Sequence, residues 1–293
     1  MGLNRERLEA AWPIVQSNLS QSPLKRKLPR AINFDLHIFD RLESTNKTVW
    51  QLINHGAVPG TTVIADRQTS GRGQWGRQWN SPPGGLYLSI ALAPNLPVAN
   101  SFKLTLSSVW GIATALRAYH LPVLIKWPND LVLQGRKLGG ILSETKIKAE
   151  TVTTAVVGVG INWENSVPET GINLRSYQRE HQLDRISSLE MLAAITLHGI
   201  ASGVELMLSE GVEELLSGYL ALLGSLGQKV KISGHPGIIT GVTPTGDLRV
   251  ELQFPNHSRV NLTGLAGRSP QSKPSRSEIL VKPGTIRLGY DTL

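Results

Sequence analysis

The sequence predicts a domain of mixed α and β structure followed by a smaller, β-rich domain. Three observations carry that expectation. Up to Leu226, short apolar strands alternate with stretches of helical periodicity. After Gly227 only brief β-type runs remain, separated by Gly, Pro and Asn turns such as Gly246-Asp247. A chain of 293 residues is long enough for one large domain plus a small one. No internal repeat is evident.

Taken in order, residues 4–12 form a helical segment expected to stop at Pro13, and a looser stretch punctuated by Pro23 and Pro29 follows. Residues 33–39 alternate, with Ile32, Phe34, Leu36 and Ile38 on one face, which predicts a half-buried strand. Ser44 or Thr45 can cap a helix running to His55 and ending at Gly56. Residues 61–66 read as a buried strand, and the glycine-rich segment 71–85 leads into a strand over 86–92. Ser101 is expected to cap a helix with Phe102, Leu106, Val109, Ala113 and Leu116 on one face. A strand over 123–126, the turn 127–130, apolar segments around Leu131 and Ile141, and a β-branched strand over 151–160 come next. Helices are expected over roughly 187–207 and 211–226. The tail then carries β-rich runs at 229–232, 238–242, 248–252, 259–262 and 285–288, the pattern of a small barrel of about 60 residues. These boundaries give an N-terminal extension (1–32), a main domain (33–227) and a small barrel (228–293).

Hydrophobic residues make up 40% and charged residues 18% of the chain, which suits a globular protein and argues against disorder, collagen or a long coiled coil. There is no cysteine, so a disulfide framework, thiolate zinc sites, iron–sulfur clusters and a catalytic thiol are excluded. Thirty Lys and Arg against twenty-two Asp and Glu give +8, a charge that favours encounter with anions: nucleic acid, an acidic protein or a nucleotide. The densest basic cluster, Lys25-Arg26-Lys27 with Arg30, is short and lies beside prolines, and reads as a solvated linker rather than a nucleic-acid arm. Charged residues occupy the N-terminus where a secretory signal would be apolar, and no run approaches the ~20 apolar residues of a membrane helix. A cytoplasmic location is the expectation.

Three segments carry chemistry. Gly71-Arg72-Gly73-Gln74-Trp75-Gly76-Arg77-Gln78-Trp79 combines glycines, which let backbone N–H groups approach an anion, with arginines that can bind phosphate or carboxylate. Its tryptophans can cover a ligand; without one, the segment is a long surface loop in which such bulky aromatics have little purpose. Lys126-Trp127-Pro128-Asn129-Asp130 follows an apolar strand and places an ammonium, an amide and a carboxylate within five residues, although a plain turn with a surface ion pair has the same look. Lys137-Leu138-Gly139-Gly140-Ile141-Leu142 sets another lysine beside two glycines, as a tight turn with a solvated lysine also would. The lone Gly158-x-Gly160 is weak evidence for a dinucleotide fold. No GxxxxGK[ST], HExxH or GxSxG pattern occurs.

In their order these segments resemble the biotin–protein ligases, also called biotin–acetyl-CoA-carboxylase synthetases. The matching stretches are Glu43-Ser44-Thr45-Asn46, Gln68, Gly71-Arg72-Gly73, Gly76-Arg77-Gln78-Trp79, Ser81-Pro82, Leu86-Tyr87-Leu88-Ser89, the two lysine segments, and Gly158-x-Gly160-Ile161-Asn162. They run from Arg41 to Trp163, and the likeness is looser in the tail. The resemblance implies an α/β (α+β) catalytic domain of the biotin/lipoate ligase type with a small C-terminal SH3-like β-barrel. It implies ATP-dependent activation of biotin to biotinyl-5′-adenylate, with Mg²⁺, and transfer to one lysine of a biotin carboxyl carrier domain of acetyl-CoA carboxylase.

By the same resemblance, Ser44, Thr45, Asn46 and Gln68 meet the ureido group, for which neutral donors and acceptors in a dry pocket are suited. Trp79, Leu131, Leu142 and Ile161 supply apolar walls, and Gly71, Gly73, Gln74, Gly158 and Gly160 belong to the binding set. Arg72 and Lys137 hold the carboxylate and then the adenylate phosphate. Lys126, Asn129 and Asp130 face the α-phosphate, adenine and magnesium, with Asp130 the candidate metal ligand and the candidate to receive the acceptor lysine's proton.

Two departures stand out. About 30 residues precede the first core strand, too few for the DNA-binding winged helix of regulatory members, so sequence-specific DNA binding is not expected. The family's usual Gly-Arg-Gly-Arg reads Gly71-Arg72-Gly73-Gln74, a neutral amide in place of a five-donor cation. A looser grip on the adenylate is expected, with Arg77 the candidate to compensate. Membrane association is not expected, and monomer and homodimer both stay open. The rival readings are a lipoate–protein ligase of the same fold and, from another class, a basic nucleic-acid binder.

Overall fold

The computed structural model describes residues 3–20, 22, 24, 34–253, 277–286 and 288–290. Helix α1 (Arg5–Leu19) opens the chain, with Asn4 accepting from Arg7 N at its start. It runs through Pro13 rather than stopping there. Proline removes one backbone bond, but Leu8, Val15 and Leu19 repeat at helical spacing and are buried, and Trp12 stacks on His198 with centroids 3.8 Å apart. Burial along that stripe offsets the lost bond.

The central sheet has eight strands: β1 (Asp35–Leu42), β2 (Thr61–Gln68), β3 (Gly85–Leu92), β4 (Leu96–Pro97), β5 (Leu124–Lys126), β6 (Asp130–Leu133), β7 (Arg136–Lys148) and β8 (Thr151–Asn162). Their order is β1-β2-β3-β8-β7-β6-β5, with β4 beside β8. Strands β1 and β2 are parallel and the other pairs antiparallel. Strand β1 begins at Asp35, and the expected strand positions 32 and 33 lie outside the described residues.

Side-chain alternation divides the sheet into two faces. One face (Leu86, Leu88, Ile90, Ile141, Val157, Val159, Ile161) packs under α1, α3 (Lys103–Ala118), α5 (Leu189–Ser209) and α6 (Val212–Leu222). The other face meets α2 (Thr45–Asn54) through Val49, Val63, Ala91 and Val156. Helix α2 starts after Ser44 and ends at His55 and Gly56, whose φ of 92° suits glycine. Helix α3 starts later than Ser101 suggests, because residues 98–100 form a 3₁₀ turn first.

Helices α3 and α5 approach closely: a Cβ on Gly199 would stand 2.7 Å from Ile112 Cα. Helix α5 corrects the expectation that no segment could cross a membrane. By length and hydropathy (1.6) it qualifies, but 83% of its most apolar window is buried inside the protein, as in a core helix. The short helix α4 (Leu174–Glu180) has no counterpart in the sequence reading; Asn173 caps it by accepting from Ser176 N at 2.8 Å.

The tail forms a four-stranded antiparallel sheet of β9 (Lys229–Ile232), β10 (His235–Val242), β11 (Leu248–Leu252) and β12 (Ser277–Val281), in the order β12-β11-β10-β9. This arrangement agrees with a small SH3-like unit. Two expected strands need comment. Residues 259–262 and 287 lie outside the described residues, and the described residues 285, 286 and 288 are not in a strand: Thr285 N and Oγ1 both bond Lys282 O in a turn. The sheet is joined to the main body through Trp127 Nε1, which donates to Gly246 O at 2.9 Å. Its Ile232, Ile239, Val242, Leu248 and Val250 continue the main core.

Candidate active site

The three chemistry-bearing segments meet at one cavity of about 290 Å³ on the α2 side of the sheet. Ser44, Thr45, Gln68, Arg72, Gly73, Gln74, Trp79, Lys126, Asn129, Asp130, Lys137, Leu142, Gly158 and Gly160 line it. Four of the expected residues do not. Leu131 and Ile161 are fully buried on the opposite face, turned there by strand alternation, so they support the helical layer instead of walling the cavity. Gly71 is needed by the ribbon itself: a Cβ there would stand 2.5 Å from Ser81 Oγ. Asn46 lies beneath the cavity, where Ser89 Oγ donates to its Oδ1 at 2.6 Å.

The neutral end is a hydrogen-bonded platform. Gln68 Oε1 accepts from Thr45 N at 2.9 Å and from Thr45 Oγ1 at 3.2 Å, while Gln68 Nε2 donates to Ser81 Oγ at 2.8 Å. Ser89 Oγ is 2.7 Å from Thr45 Oγ1. These bonds fix the rotamers before any ligand arrives, so a bound group meets preset donors and acceptors. Gly158 and Gly160, on the same face of β8, let two side chains approach that strand. A Cβ on Gly158 would lie 2.9 Å from Asn46 Cγ, and one on Gly160 would lie 2.5 Å from Trp79 Cε2. The Gly-x-Gly that looks like a fragment of a dinucleotide motif thus serves to admit an amide and an indole.

The charged end gathers four cations, Arg72, Arg77, Lys126 and Lys137, against one lining carboxylate, Asp130. Lys137 Nζ is 2.7 Å from Asp130 Oδ1 and 5.2 Å from the Trp79 ring centroid. Lys126 is buried, at the end of β5. Asn129 Nδ2 donates to Ile141 O at 2.7 Å, pinning the turn to β7. The Trp127–Pro128 peptide in that turn is cis. Two buried polar atoms among the lining residues, Gln74 Oε1 and Trp79 Nε1, have no hydrogen-bond partner. Orphaned groups of this kind cost ~1–3 kcal/mol each, a cost that a ligand with matching groups removes.

Sequence reasoning missed two groups here. Glu144 on β7 accepts from Arg72, and its position two residues past Leu142 on the same strand face was a usable signal. Tyr290 gave none. Its hydroxyl donates to Asp130 Oδ2 at 2.7 Å and its ring lies 3.5 Å from Lys126 Nζ, brought there by the tail folding back over the cavity. Burial, followed by the negative charge of Asp130, raises the Tyr290 pKa, so the hydroxyl stays protonated and can only donate to that carboxylate. Trp75, on the ribbon, packs against Gly284 of the same tail segment.

A sheet covered by helices on one face, with a half-neutral, half-cationic cavity on the other, defines the scaffold of a small-molecule site for an anion with a neutral polar head. Residues 38–162 match the model of the Biotin/lipoate A/B protein ligase family. The chain is 35% identical over 222 residues to the Bifunctional ligase/repressor BirA of Escherichia coli, an alignment covering 72% of this chain and 67% of that one. It is 39% identical over 125 residues to the protein of the same name from Bacillus subtilis, covering 42% of this chain and 38% of that one. The chain therefore spans well under half the length of the Bacillus relative. Among solved structures, a biotin protein ligase from Aquifex aeolicus in complex with biotin and ATP superposes with a TM-score of 0.59 at 27% identity, covering 74% of this chain and 91% of that one. The chain belongs to the biotin/lipoate A/B protein ligase family.

Proposed function

We propose that this protein condenses biotin with ATP to biotinyl-5′-adenylate and passes the biotinyl group to one lysine of a biotin carboxyl carrier domain in the cytoplasm. The observation that carries this reading is the combination of surfaces that line one cavity. Neutral donors and acceptors (Ser44, Thr45, Gln68), apolar side chains (Trp79, Leu142) and cations (Arg72, Lys126, Lys137) line it together, the three kinds of surface that the ureido head, apolar body and carboxylate of biotin require. A volume of about 290 Å³ suits a single vitamin-sized molecule. The adenylate needs more room, and the tail residues Gly284, Ile286, Leu288 and Tyr290 border the same cavity.

On this reading the chemistry is positional and electrostatic. The biotin carboxylate attacks the α-phosphorus, pyrophosphate leaves, and Arg72, Lys126 and Lys137 offset the negative charge that builds up. The amine of the acceptor lysine then attacks the acyl carbon and AMP leaves, so no protein nucleophile is required. Asp130 receives the amine's proton once the Tyr290 hydroxyl has withdrawn from Oδ2.

Magnesium fits as an ion carried by the nucleotide, where it offsets phosphate charge. Among the described residues no group of three His, Asp or Glu side chains converges, and both Asp130 oxygens already have partners. Such a donor set suits Mg²⁺ held mainly by phosphates and water. Residues 33–227 form the catalytic unit, to which the tail of the C-terminal unit contributes Tyr290.

The test is incubation with ATP, magnesium, labelled biotin and a carrier domain, with labelled lipoate in a parallel arm. Label from biotin on the carrier lysine supports the reading. Labelling from lipoate alone replaces it with lipoate ligation, and labelling from neither acid overturns it.

A further inference from the structure

Glu144 joins two parts of the cavity that the sequence reading treated separately. Its Oε2 accepts from Trp50 Nε1 at 2.9 Å and from Asn46 Nδ2 at 3.2 Å, both on α2. Its Oε1 pairs with Arg72 Nη1 at 3.0 Å, on the glycine ribbon. The Glu144 side chain is only 20% exposed, against 55% for Arg72. A shielded carboxylate therefore holds a half-exposed guanidinium that would otherwise sample many rotamers from a glycine-flanked backbone. The Asn46 amide is oriented from both ends, by Ser89 at Oδ1 and by Glu144 at Nδ2.

We propose that Glu144 is a positioning residue for adenylate formation and retention. It anchors one edge of the Arg72 guanidinium, so that the remaining donors of the planar fork face the ligand anion already oriented. Through Asn46 it ties that alignment to the neutral platform. The inference rests on the proposed biotin chemistry and names a residue to which that chemistry assigns no role.

The informative variant is Glu144→Gln. The amide oxygen can still accept from Trp50 and Asn46, but the opposite side presents an N–H₂ to Arg72, so only the guanidinium anchor is lost. Expected are a biotin dissociation constant within about twofold of wild type, a kcat for biotin-dependent pyrophosphate release lowered roughly tenfold, and adenylate dissociation accelerated by roughly tenfold or more. Glu144→Ala additionally leaves Asn46 and Trp50 without an acceptor, and biotin affinity falls as well. A mutant cycle isolates the route: in an Arg72→Ala background, Glu144→Gln leaves the adenylate off-rate unchanged.

Retention of the adenylate in Glu144→Gln equal to or tighter than wild type overturns the proposal. So does a tenfold faster release that persists undiminished in the Arg72→Ala background, which would mean Glu144 acts without Arg72. Wild-type protein that forms no adenylate removes the biotin reading and this inference together, whereas wild-type activity with an unaltered Glu144→Gln removes the inference alone.

Discussion

Replacing Gly160 by alanine puts a methyl group against the indole of Trp79. The added carbon would stand 2.5 Å from Cε2 and 3.0 Å from Cζ2, while unstrained carbon contacts lie at about 3.5–4.0 Å. The indole must retreat by about 1 Å or more. Strand β8 cannot retreat in its place, because Gly160 is paired with Tyr87 on one side and Gly140 on the other. The ring borders the cavity, so its displacement consumes ligand space. Overpacking of this kind costs about 1–3 kcal/mol. Carried into the complex, that is a rise in the biotin dissociation constant of about 5- to 150-fold. Calorimetric titration reads the affinity, and a urea melt in parallel confirms that the variant is folded. A folded Gly160→Ala protein that binds biotin within twofold of wild type would refute the reasoning, and with it the role of Trp79 as a wall.

Other predictions follow from the same contacts. His198 is buried with neither ring nitrogen bonded, and burial lowers its pKa to about 4. Because the folded value lies below the ordinary 6.5, the neutral-ring contribution is complete above about pH 6.5 and is lost as pH falls through about 4, up to about 3 kcal/mol in all. A His198→Phe variant, which keeps an aromatic ring against Trp12, should flatten the acid side of the stability–pH curve in urea melts; an unchanged acid limb would contradict this. Gly199→Ala drives a carbon into the α3 backbone and should destabilise the fold by about 3 kcal/mol, read as a lowered melting temperature. Gln74→Arg restores a cation beside the cavity and should slow adenylate release roughly tenfold; identical off-rates would remove the significance attached to that position. Asp130→Asn should depress transfer to the acceptor lysine more than adenylate formation, and full transfer would retire Asp130 as the proton acceptor.

Much of this architecture was legible because local signals and tertiary packing agree. The helix after Ser44 and the buried strands follow from periodicity, although Ser44 makes no side-chain capping bond, and the ordered motifs resemble one family. What escaped was long-range. Leu131 and Ile161 are apolar and adjacent to site residues, yet strand alternation turns both away from the cavity. Pro13 stops a helix in isolation, but burial of Leu8, Val15 and Leu19 carries α1 through it. Tyr290 lies 160 residues from its partner Asp130, and no local pattern announces such a contact. Glu144 was within reach, since it lies on the same strand face as Gly140 and Leu142.

The account holds that one cavity seats the vitamin head-first on Thr45 and Gln68 with its carboxylate among the cations. Mass spectrometry under native conditions, after the protein has been mixed with biotin, ATP and magnesium and passed through a desalting column, tests this most directly. The protein should retain one equivalent of biotinyl-adenylate, with an equivalent of pyrophosphate in the filtrate, and Lys137→Met should retain much less. Biotin-independent pyrophosphate release, or a protein that emerges carrying nothing, would contradict the account.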